Sequence, residues 1–174
     1  MEEIDFFNDS YRCEPIRDDE CFGIKDGDDD KDQPAYTSTT VKNPEAIVVN
    51  SNREKVQFIP LDRNIKITKK GTTDRESLCD GMLYIDETYI AFIELKAMKQ
   101  KWISKATLQL KNTIQIFKEY HRIDQYKVKY AYAANRKHGY CSHTSHRELK
   151  FLFFHETEFK LRLKNTIILP MDEE

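Results

Sequence analysis

The stretch from Cys79 to Ala97, CDGMLYIDETYIAFIELKA, constrains the fold more than any other part of the chain. Two runs rich in β-formers, residues 81–85 and 89–95, flank Asp86-Glu87-Thr88, a spacer short enough for a tight hairpin. Both faces of both runs are apolar: Met82, Tyr84, Ile90 and Phe92 fall on one side, and Leu83, Ile85, Ala91, Ile93 and Leu95 on the other. Strands of that kind belong in the middle of a sheet covered on both sides. With residues 86–88 as the loop, Ile85 pairs with Tyr89 and Asp80 lies across from Glu94. Cross-strand partners share a face, and so do residues two apart, so Lys96 points the same way as Glu94. Three charged groups therefore converge at one end of an otherwise apolar hairpin.

The rest of the chain supplies elements to cover such a hairpin. Ile103, Ala106, Leu110, Ile114 and Phe117 recur at helical spacing, which predicts an amphipathic helix over 102–121. VKYAYAA, 128–134, reads as a strand returning to the same sheet. Residues 149–154 and 167–169 are strand-like, and the type of 159–164, FKLRLK, is left open. Upstream, 46–49 and 55–59 are short β-forming runs around the turn-rich Asn50-Ser51-Asn52-Arg53, which predicts a second hairpin. Residues 64–68 read as a further strand or a bent continuation beyond Pro60. Residues 22–40, FGIKDGDDDKDQPAYTSTT, hold few apolar side chains and read as a mobile acidic linker. Before them, Phe6, Phe7, Tyr11 and Ile16 are placed to dock on the body as a short helix or arm. The order of elements predicts a mixed α/β or α+β layered fold.

A chain of 174 residues suits one domain, and 10 Phe and 9 Tyr can fill a core despite 33% charged residues. The formal net charge of −2 hides a division. Residues 1–40 hold 13 acids and 4 bases, net −9, whereas 41–171 carry +10 and 172–174 are all acidic. A body of that charge attracts a polyanion, and its acidic ends partly mask it. No apolar run approaches the ~18 residues of a membrane span, and the first ten residues are acidic, so a cytoplasmic protein without a membrane partner is expected. The four cysteines are irregularly spaced and read as reduced thiols. Cys141-Ser-His143-Thr-Ser-His146 offers zinc-type donors but has neither a C-x-x-C knuckle nor a distant second pair, and reads as a polar loop.

The converging trio has a definite chemistry. Two neighbouring carboxylates repel one another and favour a divalent cation with oxygen ligands, such as Mg²⁺, which takes one or two carboxylates and keeps several waters. A lysine beside them can position water or stabilise charge on a phosphate. Asp80, then Glu94-Leu95-Lys96, then a helix carrying Ala106-Thr-Leu-Gln109-Leu110 and a further strand, resemble the core of the PD-(D/E)xK nuclease superfamily over roughly residues 55–135.

That resemblance implies a restriction-endonuclease-like αβββαβ core, a central mixed sheet flanked by helices. It implies Asp80 and Glu94 as ligands of Mg²⁺, with Mn²⁺ as a substitute, and Lys96 as base or transition-state stabiliser. Gln109 would lie near them, orienting the lysine or the substrate. The family often carries another acid on a helix before the first strand; Glu45, Asp62 and Glu76 are the candidates here, with Asp62 preferred as a third ligand. The chain departs from the family pattern in having Leu78-Cys79 where the motif's Pro would stand. Thr113 occupies the position where the RecB-like exonuclease branch has Tyr. The resulting expectation is an acidic arm over 1–40, a nuclease-like domain over 41–171 and an acidic tail over 172–174, acting on nucleic acid, DNA in the first instance. Tyr126-Lys-Val-Lys-Tyr130 and Asn135-Arg-Lys-His138 interleave aromatics with bases suited to such a partner, and a homodimer is compatible with this reading. The alternative is a non-catalytic binding protein of immunity or inhibitor type, built on the same scaffold and recognising a protein partner.

Overall fold

A computed structural model of the chain describes residues 3–137 and 146–169. Its elements, in chain order, are β1 (Cys21–Lys25), β2 (Tyr36–Ser38), β3 (Ala46–Val49), β4 (Gln57–Pro60), β5 (Gly81–Ile85), β6 (Tyr89–Lys96), α1 (Trp102–Tyr120), β7 (Val128–Asn135), α2 (Arg147–Thr157), β8 (Lys160–Arg162) and β9 (Thr166–Ile168). The fold is mixed α+β, with two sheets and two α-helices among the described residues.

The apolar hairpin sits at the centre of a five-stranded sheet ordered β4-β5-β6-β7-β8. Strands β4 to β6 are antiparallel, and β6 to β8 run parallel through the α1 and α2 crossovers. The hairpin register is the expected one: Ile85 pairs with Tyr89 and Gly81 with Ile93. Both its faces are covered, which accounts for the double apolar pattern. Met82, Ile90 and Phe92 pack on Ala106, Leu110, Ile114 and Phe117 of α1, while Leu83, Ile85, Ala91 and Ile93 share a core with Phe22, Ile24, Ala46 and Val48 of a second sheet. That sheet is ordered β2-β1-β3-β9. No described helix is long and apolar enough to cross a membrane.

Several expectations need correction. Residues 22–40 are not a linker: β1 and β2 pair antiparallel, and Phe22, Ile24 and Thr37 are buried against the second sheet's neighbours. The strands escape notice because they are short and the charge is concentrated in residues 26–32 between them. The segment before them does dock: Phe6 is fully buried and stacks edge-on against Phe117, and its N–H donates to His121 Nε2, although Ile16 stays exposed. Strands β3 and β4 form no hairpin, since they lie in different sheets. Residues 64–68 contribute a lone bridge, Thr68 to Arg75, in place of a strand. The run 149–154 is helical, part of α2, because Phe153 is buried while Phe151, Leu152 and Phe154 face solvent. Residues 160–162 are strand β8. Cys13, Cys21 and Cys79 are free thiols; Cys141, His143, His138 and the tail at 172–174 lie outside the described residues.

Candidate active site

The C-terminal end of β6 brings Glu94 and Lys96 onto the face covered by α1, and Gln109 reaches them from that helix. Glu94 is 2% exposed, and its Oε1 lies 2.5 Å from Lys96 Nζ. The same ammonium donates to Gln109 Oε1 at 2.8 Å, so the lysine is held between two acceptors. Gln109 Nε2 in turn donates to Ser77 Oγ at 3.4 Å, and Asn112, one turn on, donates to the Ser77 carbonyl at 2.9 Å. Asp80 is partly buried at the start of β5, and its Oδ2 accepts the Leu95 N–H at 2.6 Å, which clamps it beside the residue between Glu94 and Lys96.

Burial dominates the electrostatics. It pushes the Glu94 carboxyl up to about 7; Asp62 and Asp26 push the same way, and Lys96 opposes them. Burial, with Glu94 and Asp26, raises Asp80 well above the ordinary carboxylate range, against the Leu95 N–H and Lys96. Two carboxyls reluctant to ionise beside one ammonium are a site short of positive charge. The second oxygen of Glu94, Oε2, is buried without a hydrogen-bond partner. An orphaned carboxylate oxygen is costly in a protein interior unless something ligates it. The donor set of hard oxygens therefore fits Mg²⁺ or Mn²⁺ at Asp80 and Glu94.

The structure joins Glu94, Lys96 and Gln109 by hydrogen bonds, holds Asp80 on the Leu95 N–H, and puts Asp62 near enough to help raise the Glu94 carboxyl, with the Asp62 N–H donating to the Cys79 carbonyl at 3.2 Å. Asp62 lies 3.6 Å from Arg63, which also pairs with Asp29. Among the described residues no three His, Cys, Asp or Glu side chains form a metal-binding group, so the candidate ligand set is the pair alone. Glu45 is buried and spent on Lys25, Arg136 and the Asp26 N–H, and Glu76 receives a bond from Asn112.

Sequence reasoning missed three supports. Fully buried Thr113 accepts the Cys79 N–H at 2.7 Å, fixing the approach to Asp80. Asn135, at the end of β7, donates to the Met98 carbonyl and accepts the Met98 N–H, pinning the chain just after Lys96. Asp26 acts on both carboxyls through space. Thr113 and Asn135 carry no local signature; Asp26 was hidden in the acidic run. No family model, curated protein or solved structure matches this chain.

Proposed function

We propose that this protein is a Mg²⁺-dependent nuclease that hydrolyses phosphodiester bonds in nucleic acid, DNA in the first instance. The observation that carries the reading is the Glu94 carboxylate, with one oxygen on Lys96 and the other buried and unpartnered, while Asp80 is held on the N–H of the next residue, Leu95. Its fold counterpart is a restriction-endonuclease-like core, supported by the β4-β5-β6 meander followed by α1 and the parallel strand β7. In place of a leading helix, the described N-terminal segment packs Phe6 on α1.

Asp80 and Glu94 would hold the ion, which when bound would polarise a phosphoryl oxygen and lower the pKa of water. Lys96 supplies a positive charge for the phosphate oxygens as charge develops on them. Because Glu94 and Gln109 fix its ammonium in advance, little reorganisation accompanies the reaction. The Leu95 N–H holds Asp80 in the orientation the pair requires. The alternative binding-protein reading draws on the exposed Phe151 and Phe154 of α2, an aromatic surface suited to a protein partner.

The test is incubation of purified protein with plasmid, linear and single-stranded DNA and with RNA, in Mg²⁺ or Mn²⁺. Cleavage should fall by about 100-fold or more in Glu94→Ala and in Lys96→Ala. Activity that persists unchanged in both variants would sink the proposal. A tight protein partner in a pull-down, with no heat of metal binding by calorimetry, would favour the alternative.

A further inference from the structure

Among the described residues, one hydrogen bond ties residues 3–8 to anything beyond residue 12: the Phe6 N–H donates to His121 Nε2 at 3.1 Å. The next tie is at the Tyr11 carbonyl, which accepts from Asn64 Nδ2 at 2.9 Å and places a hinge point behind the shorter segment. Aromatic rings enclose the first bond. Phe6, Phe7 and Phe117 stand with centroids 5.7, 5.2 and 4.6 Å from that of the imidazole, and Phe6 is fully buried. His121 itself follows the last residue of α1. The bond requires a neutral ring. An imidazole nitrogen accepts only when it carries no proton, and both nitrogens of an imidazolium are donors. A proton at Nε2 would therefore confront the Phe6 N–H and strand the amide of a buried residue.

We propose that residues 3–8 form an acid-released latch, docked on α1 while His121 is neutral and freed when the ring takes up a proton. The charges that act on the ring come from the segment itself, Asp5 and Glu3, and both favour the proton. So does the C-terminal end of α1. Asp5 Oδ1 lies 3.8 Å from Nε2 on a side chain that is 55% exposed, so the ion pair it offers is screened and weak. Other charges on the neighbouring elements are answered locally: Arg122 by Asp124, Lys118 by Glu158 and Glu119 by Lys70. Tyr84 of β5, packed edge-on against Phe7, stays neutral. Against the acids stand the lost hydrogen bond and the burial of the ring, which holds its pKa below the ordinary value of 6.5. The docked state thus takes up a proton less readily than the freed segment, and docking weakens as pH falls below that value. Release uncovers Phe117, which also packs on Phe92 of β6, two residues before Glu94. The latch stands whether or not the protein cleaves nucleic acid.

Amide hydrogen exchange of the full chain, followed by NMR at pH 7.5 and pH 5 and corrected for the intrinsic rate, reads the docking at the Phe6 N–H itself. Its protection should fall several-fold on acidification, by no more than about tenfold for each pH unit below the ordinary histidine value. The amides of β6 should stay better protected than Phe6 at both pH values, because the segment opens on a folded chain. In His121→Gln an amide oxygen can accept the same N–H but takes up no proton, so this fall should disappear. A fall of equal size in wild type and variant overturns the latch, and so does Phe6 protection that matches β6 at pH 5. A second measurement does not depend on the variant docking: the His121 ring resonance of wild type, followed against pH, should titrate below 6.5. Titration at or above that value would mean that acid strengthens docking, and it overturns the latch by itself.

Discussion

Replacing Glu94 with Gln should raise the stability of the metal-free protein relative to wild type as pH rises, while removing the chemistry proposed for it. Glu94 is almost fully buried, and burial pushes its carboxyl up to about 7 from an ordinary value of 4.5. Between those two pH values the folded state keeps a proton that the unfolded chain has released. The unfolded state then binds fewer protons, so stability falls as pH rises; the loss is absent below the lower value and complete above the higher one. From pH 5 to pH 8 it amounts to about 2–3 kcal/mol. Gln does not ionise, so the stability of the variant relative to wild type rises by that amount over the interval, whatever constant offset the amide introduces. In a domain of this size 1 kcal/mol moves Tm by about 2–4 °C, which makes the relative gain about 4–12 °C. Thermal unfolding in EDTA at the two pH values measures it. Mg²⁺ should narrow the gap at pH 8 by stabilising wild type through mass action and should leave the variant nearly unmoved. A Tm difference that is the same at both pH values would refute the reasoning.

Three further perturbations probe the surroundings of the pair. Phe6→Ala empties a fully buried position against Phe117 and should cost about 3–5 kcal/mol in urea unfolding; an unshifted midpoint would return the N-terminal segment to the status of a dispensable arm. Thr113→Val keeps the shape but strands the Cys79 N–H, at a cost of about 1–3 kcal/mol, with faster hydrogen exchange at Cys79; wild-type exchange there would contradict the assignment. Asp26→Asn removes a negative neighbour from both carboxyls, which lessens the decline in stability from pH 5 to pH 8; a profile superimposable on wild type would rule out the coupling.

The site was more legible in the sequence than the outer layers were, and the reason is local. A three-residue turn between two apolar runs leaves little freedom of register, so Asp80, Glu94 and Lys96 follow from counting. Gln109 follows from helical spacing, since Ala106, Thr113 and Ile116 on its stripe are buried. The second sheet is built otherwise. Strands β1 and β2 bury Phe22, Ile24 and Thr37 but are only five and three residues long, and the acids crowded into 26–32 between them make composition favour a linker reading. Strands β3 and β4 are close in sequence, and nothing in the spacer says that it changes sheets. In α2 only Phe153 and Thr157 are fully buried, and the aromatics left in water erase the helical period. Asn135 acts across a parallel pair on a loop 37 residues away, a contact that no local pattern announces.

The same folding changes the meaning of the charge division. The acidic segment is not tethered beside a basic body; it is built into the second sheet, and its Asp26 acts on Asp80 and Glu94 alike. Nearby cations are committed elsewhere: Lys25 and Arg136 to Glu45, and Arg63 to Asp29 and Asp62. Lys96 is the ammonium bonded to Glu94. The field at the carboxylate pair thus favours a small cation and resists a polyanion.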